Sequence, residues 1–121
     1  MVKVGVSFYY IGDINRATDL YSRLLGFAPS YVNEDWVRFH LEGGDIALHL
    51  DPGLQPTIAA EPVRFGAIVS LTVEDIRAFL ELARDLGFIV IGDTQDLPYG
   101  LQAELRDPWG NRLSVLEPKK G

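Results

Sequence analysis

At 121 residues the chain is the size of one domain and is long enough to bury a core without cross-links. With no cysteine it has no disulfide, no thiolate chemistry and no cysteine-ligated metal. A net charge of -6 argues against nucleic acid, which needs a basic face, and suits either plain solubility or a cationic ligand.

The N-terminal stretch carries one positive charge and a short apolar run with no small-residue cleavage site, so it reads as a strand and not as a signal peptide. No apolar run reaches the roughly 18 residues of a membrane span. No membrane partner and a cytoplasmic location are therefore expected.

Residues 4–11 are β-rich and apolar on both faces, which predicts a buried strand. Asp13 is placed to cap a helix whose stripe is Ile14, Ala17, Leu20, Tyr21, Leu24 and Leu25, with Gly26 closing it. A short strand is predicted at 28–33. Residues 36–41 alternate, with Val37, Phe39 and Leu41 opposite Trp36, Arg38 and His40. The run from Glu42 to Asp45 signals a hairpin, and residues 46–51 alternate again, Ile46, Leu48 and Leu50 against Ala47, His49 and Asp51. Prolines 52, 56 and 62 mark a linker at 52–64.

The pattern then restarts. A strand is predicted at 65–73. Either a Thr72–Asp75 capping box or Asp75 itself opens a helix with the stripe Ile76, Phe79, Leu80, Ala83 and Leu86. A strand at 88–91 and a loop at 96–100 follow. The last element is a hairpin: Leu101, Ala103 and Leu105 share a face before the turn Asp107-Pro108-Trp109-Gly110-Asn111, and Leu113 and Val115 share one after it. The halves repeat weakly. Leu25-Gly26-Phe27 recurs 61 residues later as Leu86-Gly87-Phe88, and Asp13-Ile14 recurs 62 residues later as Asp75-Ile76.

The order of elements, the offset and the terminal Asp-Pro-Trp-Gly-Asn hairpin together resemble the vicinal oxygen chelate superfamily, which includes glyoxalase I, bleomycin-resistance proteins and extradiol dioxygenases. The resemblance implies an α+β fold of two tandem βαβββ modules, with curved mixed sheets around a cleft. The whole chain, 1–121, would be one such domain, with module one at about 1–51 and module two at about 65–121. It also implies a homodimer.

If the apolar rows pack on the helices, the opposite rows line the cleft. These hold Trp36, Arg38 and His40; Ala47, His49 and Asp51; Gln102, Glu104 and Arg106; Arg112, Ser114 and Leu116. The first strands add Val6, Phe8 and Tyr10, whose parity the sequence leaves open, and Ile68, Ser70 and Thr72. Metalloenzymes of the superfamily take ligands from four places that map here onto Val6, His49, Ile68 and Ser114. Only His49 is a good donor, whereas a divalent metal typically needs about three.

The first reading is therefore a metal-free binder of a small molecule, planar or cationic, without a cofactor. Its candidate ligand-binding residues are Phe8, Tyr10, Trp36, Arg38, His40, His49, Glu104 and Arg106. A Gly43-Gly44 turn would set Arg38 opposite His49 and Ala47 opposite His40, and a register shift would pair His40 with His49. A nonstandard metal site of His40, His49 and Glu104, serving a glyoxalase- or dioxygenase-like enzyme, is the alternative. A partner protein with a vestigial cleft is the third reading. Asp51 and Glu104 either meet a cationic ligand or pair with Arg38 and Arg106. Trp109 reads as a turn residue packed on its own hairpin, or as a stacking platform at the cleft rim.

Overall fold

The computed structural model describes residues 2–3, 5–57 and 67–120. The chain divides into two compact units, Met1–Pro56 and Thr57–Gly121. Part of the predicted linker at 52–64, and the start of the strand predicted from residue 65, lie outside the described residues, as does Val4.

The first unit runs β1 (Val6–Ile11), α1 (Ile14–Leu25), β2 (Tyr31–Val32), β3 (Trp36–Leu41) and β4 (Gly44–Leu50). Its four strands are ordered β1-β4-β3-β2, with β1 parallel to β4 and the other neighbours antiparallel. Asp13 caps α1 by accepting a hydrogen bond from the Arg16 N–H at 3.0 Å, a contact worth about 1 kcal/mol. Gly26 ends the helix in the left-handed conformation, φ 88°. Ala17, Leu20, Tyr21 and Leu24 are the buried stripe of α1, which packs on β3 and β4, where Val37, Phe39, Ile46 and Leu48 are buried. The β2 strand is shorter than the predicted 28–33, because only Tyr31 and Val32 pair with β3.

The second unit repeats the order: β5 (Val69–Thr72), α2 (Ile76–Leu86), β6 (Ile89–Leu97), β7 (Gly100–Arg106) and β8 (Arg112–Pro118). Its sheet order is β5-β8-β7-β6, again with one parallel pair, β5 with β8. Each unit is thus a βαβββ module with an open mixed sheet. Asp75 itself caps α2, accepting from the Ala78 N–H at 3.1 Å, and the Glu117 carboxylate takes the Ile76 N–H at 3.0 Å. Leu80 and Ala83 are buried from the helix, and Ala103, Leu105, Leu113 and Val115 from the strands.

Two further elements depart from expectation. The β6 strand extends to Leu97 where a loop was predicted to begin at Asp96. An irregularity between Ile91 and Gln95 absorbs Gly92, Asp93 and Thr94, and pairing with β7 then resumes. The loop is thereby reduced to Pro98 and Tyr99, because Leu97 pairs with Gly100. The hairpin between β3 and β4 turns at Glu42-Gly43 and not at Gly43-Gly44: Gly43 takes φ 92° and Leu41 pairs with Gly44. This shifts the pairing by two residues. Trp36 stands opposite His49, Arg38 opposite Ala47 and His40 opposite Asp45.

Candidate functional site

Pairing with β4 settles the parity of β1. Phe8 stands beside Ala47 and Tyr10 beside His49, so Phe8 and Tyr10 share the face of Trp36 and Arg38. Their partners on the helix side are the buried rows already described. Across this face run three registers: Tyr10, His49 and Trp36; Phe8, Ala47, Arg38 and Tyr31; and Val6, Asp45 and His40.

The first register and Phe8 form a cluster of four rings. Centroids lie 5.5 Å apart for Phe8 and Trp36, 5.6 Å for Phe8 and Tyr10, 5.2 Å for Tyr10 and His49, and 5.7 Å for Trp36 and His49. Such edge and tilted contacts contribute about 0.5–1.5 kcal/mol each. The rings are not core: Phe8 is 46% and Tyr10 50% exposed. A cluster of large rings that are packed against one another yet open to solvent offers π faces and edges to a ligand.

The charged end of the face is a closed ion cluster. Asp45 accepts from Arg38 Nε at 2.6 Å on one oxygen and lies 2.6 Å from His40 Nδ1 on the other. The Arg38 guanidinium, and after it the His40 imidazole, hold the Asp45 carboxyl below its ordinary range. Arg38 also donates to the Gly5 carbonyl at 3.4 Å, so its side chain ties β3 to the segment before β1. Asp51, expected in the cleft row as a partner for Arg38, instead bonds the Gly53 N–H at 3.1 Å in a turn.

Asp45 and Tyr31 were missed from sequence. Asp45 was read as a turn residue, and the observed register makes it the third member of the β4 row. Tyr31 faces Arg38 across the β2–β3 pair and is 54% exposed.

The corresponding face of the second unit is polar. Glu104 takes Arg106 Nε and Nη2 on one oxygen, both at 3.2 Å, and Arg112 Nη2 on the other at 2.7 Å. Gln102 donates to Ser114 Oγ at 3.0 Å. By register, Arg112, Glu104 and Arg106 occupy the positions that Asp45, Arg38 and His40 occupy in the first unit. In each unit one carboxylate is held between two basic side chains, but acid and base have changed strands. Trp109 is 6% exposed, as its reading as a turn residue requires. Its N–H donates to Asp107 Oδ1 at 2.9 Å, and Asp107 also takes the Asn111 N–H at 2.9 Å and Asn111 Nδ2 at 2.8 Å.

These contacts decide whether the side chains suit a metal. The proposed alternative set does not assemble. His40 and His49 are separated by four positions along the β4 register, roughly 13 Å at about 3.4 Å per residue. Both oxygens of Glu104 are engaged by arginines. Among the four mapped positions, Val6 and Ile68 have no donor atom and the Ser114 hydroxyl is bonded to Gln102. His49 Nδ1 is buried without a hydrogen-bond partner, whereas a metal-binding imidazole normally fixes its second nitrogen on an acceptor. Among the described residues no three His, Asp or Glu side chains are grouped to hold a cation. The donor set does not fit a divalent centre.

Residues 3–115 match the family model described as Glyoxalase/Bleomycin resistance protein/Dioxygenase superfamily. The anthracycline biosynthesis protein DnrV of Streptomyces peucetius is 32% identical over 111 residues, covering 89% of this chain and 38% of DnrV. The chain thus spans well under half the length of that relative. Among solved structures, a glyoxalase-related enzyme from Fulvimarina pelagi superposes with a TM-score of 0.75 at 20% identity, over 97% of this chain and 88% of that one. A bleomycin-binding protein solved with bleomycin gives 0.66 at 17% identity, over 98% and 100%. At these identities the two structures speak for the fold.

Proposed function

The chain belongs to the glyoxalase/bleomycin resistance protein/dioxygenase superfamily, and from that premise we propose that it is a small-molecule-binding member whose ligand lies on the aromatic face of the first unit without a metal or other cofactor. The observation that carries this reading is the ring cluster of Phe8, Tyr10, Trp36 and His49. Its members come from three strands, and Phe8 and Tyr10 stay exposed although the buried apolar row of β3 and β4 lies behind them. Ring faces suit a planar ligand by stacking and a cationic one by the negative π face, which the charge of -6 reinforces.

The names of two similar proteins point the same way: one was solved with bleomycin and the other belongs to anthracycline biosynthesis. An anthracycline is a flat fused aromatic system. The protein works as a homodimer in the cytoplasm on this reading. No helix among the described residues is long and apolar enough to cross a membrane.

Thermal melting of the native protein with bleomycin, an anthracycline and a planar acridinium cation tests the proposal. A concentration-dependent rise in melting temperature with at least one supports it. A rise with added Mn, Fe, Co, Ni or Zn and none with the organic compounds overturns it in favour of a metal enzyme. Sedimentation of the native protein tests the dimer.

A further inference from the structure

The two histidines differ in what holds their rings. His40 Nδ1 faces a carboxylate at 2.6 Å, and a carboxylate only accepts, so Nδ1 carries a proton. His49 has no such partner. Its Nδ1 is buried and makes no hydrogen bond, and the ring makes none to any described residue.

A buried N–H without an acceptor is rarer in folded proteins than a buried acceptor without a donor. The neutral His49 ring therefore places its proton on Nε2. Nε2 is the nitrogen farther from the backbone and, unlike Nδ1, is not a buried orphan, so its N–H is available to a ligand. There Tyr10 and Trp36 flank the imidazole at 5.2 and 5.7 Å and Phe8 stands at 6.1 Å. The face thus holds one directed donor surrounded by aromatic rings.

We propose that His49 is the specificity-determining residue of this face, and that it selects flat aromatic ligands carrying an acceptor oxygen on their edge, of the aryl ketone or quinone class. The proposal rests on the reading of the aromatic face as a binding surface, and it narrows that reading. Stacking on Trp36 and Phe8 accepts any flat ring, whereas the Nε2–H accepts only an oxygen with a lone pair. The same N–H turns its positive end toward the ligand, which disfavours an ammonium group at that point and separates planar acceptors from cations.

The test uses two compounds with one skeleton, 9-fluorenone and fluorene, which differ by a ketone against a methylene. Binding is followed by NMR at the Trp36 indole N–H, with Trp109, buried in the other unit, as the reference signal. The native protein is expected to bind fluorenone about tenfold more tightly than fluorene, the ratio one hydrogen bond supplies. His49→Phe is expected to abolish that ratio, whatever it does to the affinity for either compound alone, and His49→Gln, which retains an N–H donor, to restore part of it. The imidazole ¹⁵N spectrum of the native protein is expected to show the Nε2–H tautomer, and this readout needs no variant.

Equal affinity for the two compounds, a ratio that survives His49→Phe in a folded variant, or an Nδ1–H tautomer overturns the proposal and leaves the aromatic-face reading standing. Binding of neither compound overturns both.

Discussion

Trp36 and His49 face each other directly across β3 and β4, with ring centroids 5.7 Å apart. Trp36 is the largest ring of the cluster, and the core row of its own strand is already supplied by Val37 and Phe39. Trp36→Ala is expected to weaken binding of a planar ligand at least tenfold, as loss of an aromatic anchor does. It is expected to cost only about 1 kcal/mol of stability, from the lost ring contacts. Parallel ligand titration and urea unfolding check both numbers. Unchanged affinity would mean that the ligand does not lie on Trp36 and would count directly against the aromatic-face reading.

Asp45 makes stability depend on acid. Its carboxyl titrates below the ordinary value of 3.8, because Arg38 and then His40 bond its charged form. A folded value below the unfolded one means that the stabilisation is fully present above about pH 4. It is lost as pH falls through the depressed folded value. Urea midpoints measured from pH 6 down to pH 2 should fall less steeply in Asp45→Asn than in the native protein. Identical slopes would show that the cluster adds nothing to folding. The effect is modest because Arg38 and His40 are open to solvent.

Asp107 is fully buried and takes three hydrogen bonds within the turn between β7 and β8. Asp107→Ala leaves those donors unmatched and is expected to destabilise the protein by about 3 kcal/mol. Chemical denaturation measures this. A loss below about 1 kcal/mol would mean that the turn holds itself without the carboxylate.

Gly100 begins β7 where the strand runs against the end of β8. A Cβ there would collide with the Glu117 carbonyl oxygen and lie 3.0 Å from the Pro118 Cα, both backbone atoms with little room to yield. Gly100→Ala is therefore expected to cost more than about 2 kcal/mol and to lower the melting temperature by several degrees.

The parts of the fold that local chemistry determines were legible in the sequence. Asp13 and Asp75 announced two helix starts, Gly26 and Gly87 two helix ends, and strict alternation assigned Val37, Phe39, Leu105 and Leu113 to the core. Pairing was not legible. With two adjacent glycines the hairpin has two ways to turn, and only tertiary structure chose Glu42-Gly43, which brought Asp45 to His40 and His49 to Trp36. The β1 strand is apolar on both sides, so nothing in its own residues shows which face carries Phe8 and Tyr10. Its parallel partner β4 decides that. In β6, Gly92, Asp93 and Thr94 look like the end of a strand, yet β7 provides an edge on which pairing resumes beyond them.

The exchanged ion clusters bear on how such a repeat drifts. Aligned letter by letter, Asp45, Arg38 and His40 against Arg112, Glu104 and Arg106 score as mismatches, two of them charge reversals. Counted as electrostatics, they are one motif written with its signs transposed. Changing position 45 alone to arginine would set two guanidiniums face to face, and changing position 38 alone to glutamate would set two carboxylates together. Neither halfway state keeps the balance, so the two positions can trade signs only together. A search for duplicated ancestry that compares residues one at a time scores this balance as divergence.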